Sequence, residues 1–134
     1  TKAVLKAGAS LEISEKIMTH GNQYAETDFT VDMDGEDSSA NVVSRSVAKG
    51  QSKQLFVSRI NGNCKCSGHT ECDAIIMDKA CVTAEPQLTA NDIDASLIHE
   101  AAIGKIAGEQ LIKLMTLGLT EQEAEEQIIN GFLK

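Results

Sequence analysis

Short apolar runs separated by turn residues dominate the first hundred positions of the chain. Phe29, Val31 and Met33 alternate with polar neighbours until Asp34-Gly35 interrupts the pattern. A period of two places the apolar side chains on one face of a strand, so this segment predicts a β-strand. Three further short apolar runs also predict strands that end at turn residues: 55–57 before Asn61-Gly62-Asn63, 74–77 before Asp78-Lys79, and 81–84 before the only proline, Pro86. A last run covers 93–97, where Ile93, Ala95 and Leu97 alternate with polar residues.

Many short strands at fairly regular steps are typical of a sandwich, a barrel or a solenoid. Periodicity does not choose among these, because no sequence repeat stands out. The apolar runs also suit strands that are buried on both faces, as in a flattened parallel coil. Aromatic residues make up only 3% of the chain, which favours stacked short strands over a core built around large rings.

The hydrophobic period changes near residue 103. Apolar residues then recur at spacings of three and four, which predicts an amphipathic helix from Ile103 that ends at Leu117-Gly118. Thr120 followed by Glu123 forms a capping box and predicts a second helix, lined by residues 124, 128 and 132. We therefore expect a β body at residues 1–102 and a helical segment at residues 103–134.

Charge and length narrow the possible functions. With 134 residues the chain suits one domain, and 20 acidic against 12 basic residues give a formal charge of −8. Such a surface repels phosphate backbones and anionic lipids, so we expect neither nucleic acid nor membrane partners. The sequence shows no membrane-spanning run and no signal peptide, so we expect a cytoplasmic protein.

Four cysteines, Cys64, Cys66, Cys72 and Cys81, fall within eighteen positions, and the rest of the chain has none. Without a secretory signal, such a cluster indicates reduced thiols that bind a metal or carry out redox chemistry. With His69 nearby, the cluster offers enough ligands for zinc or iron, although the spacing is not that of a zinc ribbon. The alternative is that these cysteines are simply buried small apolar residues.

His99 continues the alternation of Ile93, Ala95 and Leu97, whereas Glu100 points to the opposite face. A histidine at the end of an apolar strand is more often a core residue than a metal ligand. The nearby cysteines favour a ligand role for His99 more than the strand pattern alone does. The chain has no nucleophile elbow, P-loop or dinucleotide fingerprint, so we expect no phosphoryl or hydride transfer.

Several longer motifs occur in order over about residues 45 to 134. Residues 71–79 (Glu-Cys-Asp-Ala-Ile-Ile-Met-Asp-Lys) correspond to a known motif, a Gln-Cys-Asp-Ser-hydrophobic segment. Residues 98–111 correspond to a second motif, a Glu-His-Glu-Ala stretch that leads into Gly-Glu-Asp-Gln-Leu. Residues 117–124 and Asn130-Gly131-Phe132 correspond to a closing Gly-Ile/Leu-Ser/Thr-Glu-Glu and Asn-Gly-Phe pattern. In these motifs the chain resembles the SufB/SufD family of iron–sulfur cluster assembly proteins.

The resemblance implies a mainly β fold, a right-handed parallel β-helix followed by a C-terminal helical hairpin. It implies a non-catalytic scaffold that carries a transient nascent Fe–S cluster, with Cys72, His99 and Glu100 in the places of the family's interface ligands. Cys81 is a weaker candidate for a cluster ligand. Cys64, Cys66 and His69 are also candidate metal ligands, but they are suggested only by their position near the other cysteines. The family's sulfur-transfer residues lie upstream of these motifs.

The resemblance also implies partners. A SufC-type ATPase would dock on the helical segment, for which we select Gln110, Lys113, Glu121 and Glu125. Because the chain carries both Cys72 and Glu100 it is more similar to SufB than to SufD, which favours a homodimer slightly over a SufD-type partner. Two alternatives remain open: a free-standing zinc-binding module built from the four cysteines, and a solenoid interaction domain whose cysteines are buried.

Overall fold

Eight strands and two helices follow one another in a computed structural model that describes all 134 residues. The strands are β1 Lys2–Leu5, β2 Ser10–Thr19, β3 Tyr24–Met33, β4 Ser38–Ala48, β5 Lys53–Gly62, β6 Cys66–Ile76, β7 Cys81–Ala90 and β8 Ala95–Gly104. The helices are α1 Gly108–Thr116 and α2 Glu121–Phe132.

The strands stack as two parallel sheets. Sheet A has the order β1-β3-β5-β7 and sheet B the order β2-β4-β6-β8, so each turn of the chain adds one strand to each sheet. Lys2 pairs with Thr30 and Tyr24 with Lys53, so successive turns are 28 or 29 residues long. These eight strands form a β-solenoid of about four turns, which confirms the predicted parallel coil.

The core lies between the two sheets, where alternate side chains of every strand meet. Phe29, Val31 and Met33 are all buried, as their alternation predicts. The rings of Phe29 and Phe56 pack at a tilt, with their centroids 6.2 Å apart. Small and branched side chains fill the remaining space, since two sheets that approach closely leave room for few large rings.

Stacked turns require close backbone approach at Gly35. A Cβ atom on this residue would lie only 1.9 Å from the backbone nitrogen of Ala7, in the turn of the preceding coil. The same layer is held by a hydrogen bond that the N–H of Gly8 donates to the carbonyl of Glu36 at 2.9 Å. Gly35, which interrupts the strand pattern in the sequence, therefore also allows the two turns to approach this closely.

Three predicted boundaries differ from the structure. Strand β7 continues through Pro86 to Ala90, because β7 is an edge strand with a partner on one side only. Ile93 is 98% exposed in the turn before β8 and is not part of that strand. Ile103 pairs with Ala74 of β6, so it belongs to sheet B, and the first helix begins only at Gly108.

The two helices lie beside the carboxyl ends of the sheet B strands. Thr120 and Glu123 form the predicted capping box, and Gly118 has a φ of 97° at the end of α1. Phe132 lines a cavity with residues from the ends of β6 and β8, and the Lys16 ammonium of β2 donates to the backbone oxygen of Lys134. Neither helix is long and apolar enough to cross a membrane.

Truncation of a central core side chain tests the packing between the sheets. Met33 is completely buried, whereas Met18 is 48% exposed on β2. Met33→Ala leaves a cavity and should lower the free energy of unfolding by about 2–5 kcal/mol, whereas Met18→Ala should change it by less than about 1 kcal/mol. Urea unfolding monitored by circular dichroism measures both, and equal effects would contradict the assigned core.

Candidate functional site

Cys72 lies at the centre of β6 with its side chain between the sheets. It pairs with Ser44 on one side and Ala101 on the other, and it is 1% exposed. Burial, with smaller contributions from the charges of Asp73 and Glu15, raises the pKa of its thiol to about 11. Cys72 is therefore a protonated thiol at neutral pH, and it becomes a thiolate only when a base removes the proton or a bound metal ion displaces it to solvent.

His99 projects inward from β8, the last strand of sheet B. It pairs with Thr70, and its Nδ1 atom is buried without a hydrogen-bond partner. Burial lowers the pKa of His99, which favours the neutral imidazole that binds metals. Cys72 pairs with Ala101, two residues beyond His99, so the two inward side chains are diagonal neighbours on adjacent strands, with Cα atoms about 8 Å apart.

Glu100 lies on the outer face of sheet B, the face that points away from sheet A. Successive residues of a strand point to opposite sides, so Glu100 and His99 cannot share a face. Within one chain the structure therefore places Cys72 and His99 on the same inner face of sheet B and Glu100 on the opposite face. Glu100 instead lies near His69, whose Nε2 atom is 3.3 Å from Glu100 Oε2.

An outer cluster of His69, Glu71 and Glu100 is the only group of three potential metal ligands in the chain whose ligand atoms lie within 4.8 Å of one another. The Nδ1 atom of His69 is 2.9 Å from Asn41 Oδ1. A hydrogen bond with Asp73 and partial burial raise the pKa of Glu71. Sequence reasoning selected His69 and Glu100 but not Glu71, although the alternation of residues 69, 71 and 73 along β6 places all three on one face.

The four cysteines do not form one metal site. All four are free thiols: Cys66 is buried at the start of β6, Cys64 is half-buried in the preceding turn, and Cys81 is exposed on β7 of the other sheet. The Sγ atom of Cys64 lies 3.4 Å from the carbonyl oxygen of Met33. A zinc site that uses all four thiols is thus not assembled within one chain.

The helical hairpin presents most of the selected partner-binding residues to solvent. Gln110, Lys113 and Glu121 are exposed, whereas Glu125 is half-buried and lines a cavity together with Leu111. Helix α1 buries no residue at all. Apolar side chains at its surface and just beyond it are strongly exposed, with Ile112 at 61% and Leu117 at 77%.

The raised pKa of Cys72 predicts slow alkylation. The thiolate is the reactive form, so at pH 8 iodoacetamide should modify Cys72 at least about tenfold more slowly than the exposed Cys81, and the rate at Cys72 should rise steeply as the pH approaches 11. Mass spectrometry of tryptic peptides separates the two, because cleavage after Lys79 places them on different fragments. Equal rates at the two cysteines would contradict the buried position of Cys72.

Comparison with known proteins shows which family the chain belongs to. Residues 2–132 match the family described as SUF system FeS cluster assembly, SufBD core domain. An iron–sulfur cluster assembly SufBD family protein of Methanothermobacter thermautotrophicus is 38% identical over 103 residues, which cover 75% of this chain and 25% of that protein.

Two further relatives with the same description cover more of the chain. One from Methanocaldococcus jannaschii is 32% identical over 131 residues, 97% of this chain and 42% of that protein. One from Pyrococcus horikoshii is 35% identical over 124 residues, 92% of this chain and 38% of that protein. The chain thus spans less than half the length of these relatives, and it belongs to the SufBD family of iron–sulfur cluster assembly proteins.

Proposed function

We propose that this chain is part of a non-catalytic scaffold on which a nascent Fe–S cluster is assembled, with Cys72 and His99 as inward-facing cluster ligands. One observation carries the proposal. The buried thiol of Cys72 and the imidazole of His99, whose Nδ1 atom has no hydrogen-bond partner, face inward from the last two strands of sheet B. Membership of the SufBD family supports the cluster as the cargo.

The chemistry of the two ligands suits temporary binding. Iron–sulfur clusters are held most firmly by four thiolates, and imidazole in place of thiolate weakens the hold on the cluster and changes its potential. Iron that binds Cys72 must displace the thiol proton, so the high pKa makes binding weaker and easier to reverse. A scaffold needs such reversibility in order to release its product.

A second subunit would complete this site at the open end of the solenoid. Strands β7 and β8 are the edges of their sheets, so one side of each backbone is free for pairing. Leu88, Ile98 and Ile103 expose apolar surface on these strands, which favours a protein partner. A second copy of the chain is slightly favoured over a SufD-type partner, and Glu100, on the outer face of β8, would contribute to that interface.

The helical hairpin would bind a SufC-type ATPase, whose nucleotide cycle would drive changes at the scaffold interface. Support comes from α1, which buries no residue in the chain itself and exposes Ile112 and Leu117 next to the polar Gln110 and Lys113. The four free thiols suit the reducing cytoplasm.

Cluster assembly by variants tests the ligand assignment. The purified protein, together with its ATPase partner, is reconstituted anaerobically with iron and sulfide and followed by visible absorption. Cys72→Ala should abolish the cluster chromophore and His99→Ala should reduce it strongly, while circular dichroism stays unchanged. Cys81→Ala is the matched control and should retain the chromophore, because Cys81 lies exposed on the other sheet. A full chromophore in Cys72→Ala would reject the proposed ligand set.

A charge placed on α1 tests the docking surface. Ile112→Asp should weaken binding of the ATPase by at least about tenfold, since it puts an unpaired charge into an apolar contact. Ile93→Asp is the matched control, because Ile93 is the same residue type and is even more exposed, at 98%, but lies before β8, at the opposite end of that strand from the helices. Titration by calorimetry measures both, and unchanged affinity in Ile112→Asp would remove α1 from the interface.

A further inference from the structure

We propose that His69, Glu71 and Glu100 form a binding site for one divalent transition-metal ion on the outer face of sheet B. The site goes beyond the proposed scaffold function, because it requires neither a cluster nor a partner subunit. It lies on the opposite side of the sheet from Cys72 and His99, and all its ligands come from two neighbouring strands, β6 and β8.

The distances already fit a metal ion. One ring nitrogen of His69, one carboxylate oxygen of Glu71 and one of Glu100 all lie within 4.8 Å of one another. The gap between His69 Nε2 and Glu100 Oε2 is 3.3 Å. Two ligands at about 2.0–2.1 Å from a tetrahedral ion are separated by about 3.4 Å, so an ion fits between these two atoms with little movement.

The polar neighbour of His69 prepares its ring for coordination. Asn41 lies beside His69 on β4, and its Oδ1 atom is 2.9 Å from His69 Nδ1. When Nδ1–H donates to this oxygen, Nε2 keeps its lone pair and faces the carboxylate of Glu100. A divalent ion would then take the place of the contact between Nε2 and Glu100; metal-bound histidines commonly have such a hydrogen-bond partner on the second nitrogen.

Negative charge is concentrated on this face without matching positive charge. Glu71 and Glu100 are direct partners on adjacent strands, and Asp73 follows on the same face of β6. Like charges directly opposite one another destabilise a sheet. The nearest cation is Arg45, whose guanidinium nitrogen lies 3.8 Å from Glu71, so one positive charge faces three carboxylates. A bound divalent ion would balance the cluster.

The ligand set also indicates which metals bind. One imidazole and two carboxylates favour first-row ions such as Fe²⁺, Mn²⁺, Co²⁺ and Zn²⁺ over Mg²⁺ and Ca²⁺, which prefer oxygen ligands alone. His69 and Glu71 are half-buried, while the Glu100 side chain is 67% exposed. The open side leaves positions for water, so the ion should exchange with solvent.

Co²⁺ is a suitable probe because its visible spectrum reports its ligands. The metal-free purified protein is titrated with Co²⁺ and followed by calorimetry and absorption. One saturable site is expected, and Glu71→Gln and His69→Asn should each weaken binding by more than about tenfold. Asn41→Ala should weaken it by about 10- to 100-fold without removing a ligand. These side chains point outward from the sheet, so circular dichroism should show an unchanged fold.

Two controls separate this site from other positions. His20→Asn, at an exposed histidine in the turn after β2, should leave Co²⁺ affinity unchanged. Cys72→Ala should also leave it unchanged while it abolishes the cluster chromophore, so failure of this site and failure of the proposed scaffold function give different results. No saturable Co²⁺ binding, or equal affinity in the native protein and in both Glu71→Gln and His69→Asn, would overturn the proposal.

Discussion

In-register stacking of parallel strands, at 28 or 29 residues per turn, determines where every other part of this structure lies. It aligns each inward side chain with an inward side chain of the next turn, so small apolar residues form continuous columns between the sheets. It also brings turns into direct contact, which is why Gly35 must lack a side chain. Because a shift of one residue would exchange the two faces of a strand, this register also fixes where every functional side chain points.

The same constraint divides the functional chemistry between two surfaces. Cys72 and His99 lie inside, where burial keeps the thiol protonated and favours the neutral imidazole. His69, Glu71 and Glu100 lie outside, where one potential ligand atom of each lies within 4.8 Å of the other two. Two adjacent residues, His99 and Glu100, therefore lie on different faces of one strand, which separates the proposed cluster ligands from the proposed outer metal site.

Much of the fold could be predicted from the sequence, because strand alternation and the capping box are local signals. The alternation at Phe29, Val31 and Met33 and the box at Thr120 are found as expected. The 28- or 29-residue repeat was not visible, since a solenoid requires only matching polarity at each position and not matching residues. The helix start was placed too early, because Ile103 fits the helical period but pairs with Ala74 in the sheet. Glu71 was missed because its neighbours across the sheet are far away in sequence.

The proposed cluster ligands are the inward pair of Cys72 and His99. Hyperfine spectroscopy of the reconstituted protein in its paramagnetic reduced state, with ¹⁵N-labelled histidine, tests this most directly. Coupling from a directly bound imidazole nitrogen is expected, and it should disappear in His99→Asn and persist in His69→Asn. Coupling that survives in His99→Asn, or that is lost in His69→Asn, would contradict this ligand assignment.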